Sequence, residues 1–185
     1  MASSESDIKR RLGLAWSTFW KLERLWRSKS VPTNLKVNLF KATCLSILLY
    51  GCEGWILTKK LEDKLNSYAT SYYRIMLGIK RLDFISNEEV LRQVQQEKLV
   101  QLIQQRQLRF LGHILRKPED KLPNKYALYH PRHGKRKVGR PKTLFHQYIA
   151  RVMCQDDPPT PEEIRLMAQD RTNWGKLVAD CGAVG

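Results

Sequence analysis

The sequence predicts an all-α protein, and three observations carry that prediction. Apolar residues recur at spacings of three and four in several windows of the 185-residue chain, as on one buried helix face. Two strings, Ser86-Asn87-Glu88-Glu89 and Thr160-Pro161-Glu162-Glu163, have the form of capping boxes, in which a hydroxyl and a carboxylate three residues apart satisfy each other's orphan amides. No window alternates apolar and polar residues with period two, and no Asn-Gly or Asp-Gly hairpin dipeptide occurs.

The elements follow in order. Ile8, Leu12, Ala15, Trp16, Phe19, Leu22 and Trp26 share one face of a first helix. Lys9, Arg10, Lys21, Arg24 and Arg27 fall mostly opposite, Asp7 stands as a cap, and Ser28 to Pro32 ends the helix. Trp20 departs from the apolar stripe and is the tryptophan expected outside the core. A second helix is predicted from Thr33 to about Tyr50; Leu35, Leu39, Phe40, Leu45, Ile47, Leu48, Leu49 and Tyr50 make it apolar nearly all round, which implies burial. Thr58 should cap a third helix over 59–77, with Leu61, Leu65, Tyr68, Tyr72, Ile75 and Met76 on one face and Gly78 at its C-terminal end. A short helix follows the Ser86 box. Another is predicted from about Leu99 to Arg116, with Leu99, Leu102, Ile103, Arg106, Phe110, His113 and Ile114 near one stripe. Residues 117–140 read as loop, broken by Pro118, Pro123, Pro131, Gly134 and Gly139. Pro141 can open a helix running to Met153, Asp156 to Pro159 breaks the chain, and one or two short helices close it. The glycine-ended helix meeting a capped one predicts a break near 78–86, separating a unit of residues 1–80 from one of 86–185.

Composition narrows the function. A hydrophobic content of 42 % excludes full disorder. No run of eighteen apolar residues exists, so no membrane-spanning helix is expected, and the N-terminal stretch does not have the form of a secretory signal. The formal net charge is +15, with Lys+Arg 33 against Asp+Glu 18. That charge is concentrated. Residues 1–50 carry +6, 51–100 carry +1, 101–153 carry +11 and 154–185 carry −3. A local patch of this kind sets up a field that a dispersed excess does not, and its natural partner is nucleic acid rather than a membrane.

Catalytic and metal chemistry find little footing. Cysteines 44, 52, 154 and 181 form no Cys-x-x-Cys pair and fit neither a zinc site nor a disulfide framework. Cys44 and Cys52 lie beside apolar segments, as small buried hydrophobes do, and a reducing intracellular compartment suits them. Asp156-Asp157 lacks the rigid strand turn that a two-metal site needs. His130 and His133 have no nearby partner to complete a metal set, and no metal or other cofactor is expected. The string from His133 to Lys142 is different, because Lys135, Arg136, Lys137, Arg140 and Lys142 fill half of it. Such clusters engage backbone phosphates and release counterions. Gly139-Arg140-Pro141 also matches the core of an AT-hook, though Val138 stands where a further Arg is usual. A solvated loop or a nuclear-import signal is the other reading of this run.

Seven strings together resemble one family. They are Asp7 to Arg11 with Gly13 to Trp16; Leu48 to Trp55 with Leu57-Thr58-Lys59; Arg74 to Ile79; Ser86 to Val90; Arg106 to Arg116; Gly134 to Pro141; and Asp170 to Trp174. In this order they resemble the C-terminal part of the polyprotein of non-LTR (LINE-type) retrotransposons, most like the RTE and related clades. The resemblance implies a helical reverse-transcriptase thumb over residues 1 to about 80 and a basic C-terminal extension over 86–185. The endonuclease and the catalytic palm of that family precede this region, so their catalytic residues have no counterpart here. Many relatives have Ser-Glu-Thr where this chain has Cys52-Glu53-Gly54. The expectation is a non-catalytic, nuclear nucleic-acid-binding fragment that grips template–primer or target DNA, with the palm as a further partner and no membrane. Its phosphate contacts would be Lys9, Arg10, Arg24 and Arg27 in the first unit. In the second they would be Arg106, Arg109, His113, Arg116, Lys135, Arg136, Lys137, Arg140 and Lys142. The alternatives are a domesticated protein-interaction module or a retrotransposon remnant without selected function.

Overall fold

The computed structural model describes residues 4–129, 143–154 and 156–181, and no strand occurs among them. The chain is all-α. It divides into two compact units, Met1–Gly51 with Leu57–Val100, and Cys52–Ile56 with Gln101–Gly185. The division therefore falls later than the break expected near 78–86, and each unit is described by itself.

The first unit opens with α1 (Ser4–Trp20) and α2 (Glu23–Arg27), not one continuous helix. The reason lies in its aromatic core. Phe19 stacks on Trp26 with ring centroids 4.9 Å apart and planes 7° from parallel. Residues seven apart on a straight helix are separated by about 10 Å, so this stack requires the turn at Lys21-Leu22. Trp26 Nε1 donates to Phe19 O at 2.6 Å, a carbonyl that also accepts from Leu22 N at 3.0 Å where α1 stops. Asp7 does not cap; it lies inside the first turn and pairs with Arg10 and Arg11. The tryptophan expectation is reversed in part: Trp16 is 43 % exposed and lies edge-on to Trp20, while Trp20 is only half-buried.

Next come α3 (Thr33–Phe40), a π-helical turn over Lys41–Leu45, and α4 (Ser46–Leu48). The widened turn coincides with hydroxyls that bond back to the backbone: Thr43 to Leu39 O at 2.7 Å and Ser46 to Ala42 O at 2.7 Å. The expected burial holds for Phe40, Leu45, Leu48 and Leu49, whereas Leu35 and Tyr50 are exposed. Then α5 (Lys59–Leu77) lays Leu61, Leu65, Ala69, Tyr72, Tyr73 and Met76 inward. Thr58 occupies its N-terminal boundary without a side-chain cap bond. Gly78 ends it as expected, at φ +72°, a left-handed conformation that glycine adopts without a Cβ penalty. Tyr72 contacts Phe19 at 4.2 Å and Phe40 at 5.1 Å, and its hydroxyl donates to that of Tyr68, which donates to Leu12 O at 2.7 Å. Buried Lys36 donates to Met76 O at 3.2 Å at the end of α5.

The helix α6 (Asn87–Gln93) has Ser86 as its cap, which accepts from Glu89 N at 3.1 Å. The carboxylate half of the expected box is diverted, because Glu89 binds Arg92 and Gln93 instead. Arg74 on α5 reaches Ile85 O and Asn87, and Asn66 receives Val100 N at 3.1 Å. These ties hold residues 81–100 to α5, and they explain why the unit extends past residue 80.

The second unit is built on α7 (Leu99–Leu115), whose first two residues belong to the first unit. Its inward side chains are Ile103, Gln107, Leu108, Leu111 and Leu115. This face is rotated from the predicted stripe, so Arg106, Phe110 and His113 lie outside. Gln107 is fully buried and fully used. Its amide donates to Cys52 O at 2.9 Å and Trp55 O at 2.8 Å, and its oxygen accepts from the Tyr148 hydroxyl at 3.0 Å. The single helical turn Cys52–Gly54 is thereby assigned to this unit. The expected loop after 117 contains α8 (Leu122–Ala127), and α9 (Phe145–Met153), α10 (Pro161–Gln169) and α11 (Arg171–Asp180) follow. The Thr160–Glu163 box is complete, with Thr160 N donating to Glu163 at 2.7 Å and Glu163 N to Thr160 at 3.3 Å. The ends of α7 and α10 cap each other by side chain: Arg116 donates to Ala168 O at 2.8 Å, and Gln169 to Leu115 O at 3.2 Å.

Two helices of this unit meet without room for a side chain at Gly112. A Cβ built there would lie 2.8 Å from Cδ1 and Cε2 of Trp174, and closer still to Nε1. Trp174 fills the notch and donates Nε1–H to Leu108 O at 2.9 Å. Hence the Gly112-His113 string on α7 and the Asp170-to-Trp174 string on α11 are two halves of one joint.

Two outcomes follow. Gly112→Ala gains about 1 kcal/mol of helix propensity, but the overpacking costs roughly 1–3 kcal/mol and the displaced indole loses a hydrogen bond worth about 1 kcal/mol. The variant should be less stable by about 2 kcal/mol in urea unfolding; an unchanged midpoint would contradict the notch. In the first unit, burial raises the phenol pKa values from 10.0 to about 12 for Tyr68 and Tyr73, and raises Tyr72 as well. Their stabilising contribution is whole below pH 10 and is lost as pH rises through 12. Tyrosinate absorbance and far-ultraviolet circular dichroism should therefore show these three ionising only as the helices melt; smooth titration near pH 10 with helicity intact would refute this.

Candidate nucleic-acid interface

The outward side of α7 carries the predicted cations. At 100° per residue, Arg106, Arg109, Phe110 and His113 fall within one stripe, and all four are exposed. Phe110 is 49 % exposed, an aromatic ring set among positive side chains. Arg116 lies at the edge of this stripe and is anchored through Ala168 O at the carbonyl end of α10, where a cation is favoured.

Between α7 and α11 lies a cleft of about 270 Å³. Arg109, Arg116 and Arg171 line it, with Trp174, Gly175, Val178 and Ala179 completing its wall. No acidic residue is among them. Two carboxylates adjoin the lining in sequence, Asp180 after Ala179 and Asp170 before Arg171; Asp170 is engaged as the cap of α11, accepting from Thr172 N at 2.9 Å, Asn173 N at 3.0 Å and the Asn173 side chain. Arg109 and Arg171 have no ion pair among the described residues. Three arginines around one concavity, each ending in a planar fork of donors, suit a phosphate or carboxylate, with Arg116 already spending one donor on Ala168 O. Arg171 was absent from the expected contacts. Its sequence signal was its place in the Asp170-to-Trp174 string, and the docking of Trp174 on Gly112 brings it to the same cleft as Arg109.

Arg106 has a different neighbour, the Cys52 thiol, whose pKa its positive charge lowers. Burial, helped by Glu53, nonetheless pushes that thiol up to about 11, so it stays protonated and is not a nucleophile at neutral pH. The corner Cys52-Glu53-Gly54 thus supports α7 through Gln107.

The cations expected in the first unit are mostly neutralised locally. Lys9 pairs with Glu5 at 2.8 Å, Arg10 with Asp7 at 3.0 Å, and Arg27 with Glu23 at 2.9 Å. Arg24 is exposed without an ion pair among the described residues. Arg11 is structural: it binds Asp7, donates to Ile47 O at 3.3 Å and sits 4.8 Å over the Tyr50 ring. Lys135, Arg136, Lys137, Arg140 and Lys142 lie outside the described residues, as do His130, His133 and the Gly139-Arg140-Pro141 string. Among the described residues no group of three or more His, Cys, Asp or Glu is placed to hold a metal ion, and no helix is long and apolar enough to cross a membrane.

Comparison with known proteins gives a short result. No protein-family model matches the chain, and no solved structure matches it. A Caenorhabditis elegans protein named as an uncharacterized transposon-derived protein is 25 % identical over 176 residues. The chain is similar to a transposon-derived protein. The alignment covers 91 % of this chain and 62 % of the relative, so the chain spans about three fifths of the relative's length.

Thiol reactivity checks the site's packing. Cys154 is exposed while Cys44 and Cys52 are buried. A maleimide should label Cys154 first and reach Cys44 and Cys52 only in denaturant, as mapped by peptide mass; rapid native labelling of Cys52 would show that the corner is not seated on α7.

Proposed function

We propose that this chain is a non-catalytic nucleic-acid-binding portion of a retrotransposon reverse transcriptase, which grips template–primer or target DNA by its phosphates. The observation that carries the reading is the cleft in which Arg109, Arg116 and Arg171 converge beside the exposed Arg106–His113 stripe. The similarity to a transposon-derived protein supports the origin, and the +11 charge of residues 101–153 supports the partner. The mechanism is electrostatic. Each guanidinium that meets a phosphate displaces condensed counterions, and the entropy of their release drives binding without reading sequence. Phe110 can stack or slide along a sugar face within the same stripe. Lys135, Arg136, Lys137, Arg140 and Lys142 would extend the contact along the backbone, and Lys9, Arg10, Arg24 and Arg27 would add weaker ones, since surface ion pairs worth about 0–1 kcal/mol exchange readily for phosphate. By the same reading the palm domain is a second partner, and the work is done in the nucleus, where target DNA lies.

Fluorescence anisotropy with duplex DNA and an RNA–DNA hybrid, at rising salt, tests this. Affinity should fall steeply, with a log–log slope near −0.9 per phosphate contacted. Arg109→Ala combined with Arg171→Ala should weaken binding on every sequence and reduce the slope by about 2. Salt-independent binding, or a slope untouched by the double variant, would move the site elsewhere; no binding at all would favour a protein-interaction role.

A further inference from the structure

The segment between α5 and α6 holds two apolar side chains out in water. Leu82 is 79 % exposed and Phe84 89 %. The chain forms a single tight turn over Arg81–Asp83. Asp83 closes it twice, accepting Lys80 N–H on its carboxylate at 2.7 Å and donating its own N–H to Lys80 O at 3.1 Å. Arg74 holds the far side through Ile85 O at 2.6 Å and Asn87 at 3.1 Å. The tip is therefore a braced structure.

Phe84 sits at φ +49°, ψ +29°, a left-handed backbone that costs an aromatic residue about 1 kcal/mol or more. Gly or Asn takes this conformation more readily. A bulky apolar residue in a strained backbone, with its ring in solvent, stabilises nothing within the chain. The ring is placed for something outside it. Lys80 and Arg81 beside it are exposed and have no ion pair among the described residues.

Size and charge select the occupant. One Phe and one Leu offer far less than the ~1,000 Å² that a specific protein interface buries. A nucleobase needs only a single ring face, and the adjacent cations match its flanking phosphates. We propose that Leu82 and Phe84 form a stacking tip for unpaired bases of a nucleic-acid strand, with Lys80 and Arg81 on the neighbouring phosphates. This rests on the nucleic-acid reading above but uses a separate site in the first unit.

The test uses the full chain and three labelled probes: a single-stranded oligonucleotide, the same sequence as continuous duplex, and a duplex with a single-stranded gap. Phe84→Asn keeps the left-handed backbone and removes the ring. It should bind the single-stranded and gapped probes about tenfold more weakly, and the continuous duplex within about twofold, with an unchanged salt slope and an unfolding midpoint no lower than wild type, since Asn relieves the backbone strain. Phe84→Trp should restore affinity, whereas Lys80→Ala with Arg81→Ala should lower the salt slope. Wild-type-like binding of Phe84→Asn to the gapped probe would overturn the tip while leaving the nucleic-acid reading intact, as would failure of Phe84→Trp to rescue. Absence of wild-type binding to every probe would overturn both. Phe84-dependent binding to anionic vesicles, with the oligonucleotides unaffected by the substitution, would replace the tip with a lipid contact.

Discussion

The second unit depends on how closely α7 and α11 approach at Gly112. With any side chain there, the Trp174 indole could not reach Leu108 O, and α11 would stand off. The consequence is electrostatic as much as steric. Arg109 lies on α7, Arg116 just past its end and Arg171 on α11, and the seated tryptophan sets these three arginines around one cleft. The buried indole, not attraction between charges, is what sets these arginines on one wall.

Both units show polar groups used to place apolar ones. Gln107 is buried in a helix face otherwise made of Ile103, Leu108, Leu111 and Leu115, and would be costly there if its amide were unpaired. Its three bonds to Cys52 O, Trp55 O and Tyr148 make it a bracket between a loop and two helices. In the first unit, the stack of Phe19 on Trp26 and the Tyr72–Tyr68–Leu12 hydroxyl chain do the same work. The break between α1 and α2 follows from that stack, because a straight helix cannot bring those two rings together.

Much of the local structure was legible. Gly78, Thr160 to Glu163 and the bounds of α5 stand where the sequence places them, because a cap is satisfied within a few residues of itself. Asp7 and Glu89 do not cap as their local pattern suggests, because each has a competing cation one turn away, Arg11 in one case and Arg92 in the other, and capping and pairing are of similar strength. The buried face of α7 departs from the sequence pattern for a different reason. That helix has apolar residues on both sides, Phe110 and Ile114 as well as Leu108 and Leu111, so periodicity leaves its orientation open. The candidate site was half legible. Arg106, Arg109, His113 and Arg116 follow from clustering of charge, whereas Arg171 sits in a segment of net negative charge.

Sequence by itself determined the helical class, most helix ends and the concentration of positive charge in one stretch of the chain. Each of these is set by residues close to one another along the backbone: spacing, caps and composition. Tertiary structure alone decided which tryptophan faces water, which side of α7 is buried and which cations converge. Those outcomes depend on residues tens of positions apart, such as Leu108 and Trp174 or Asn124 and Arg165, whose meeting no local pattern encodes. The physical reason is range. Propensity and capping act over one helical turn, whereas burial and electrostatic convergence are properties of surfaces that exist only after the helices have packed.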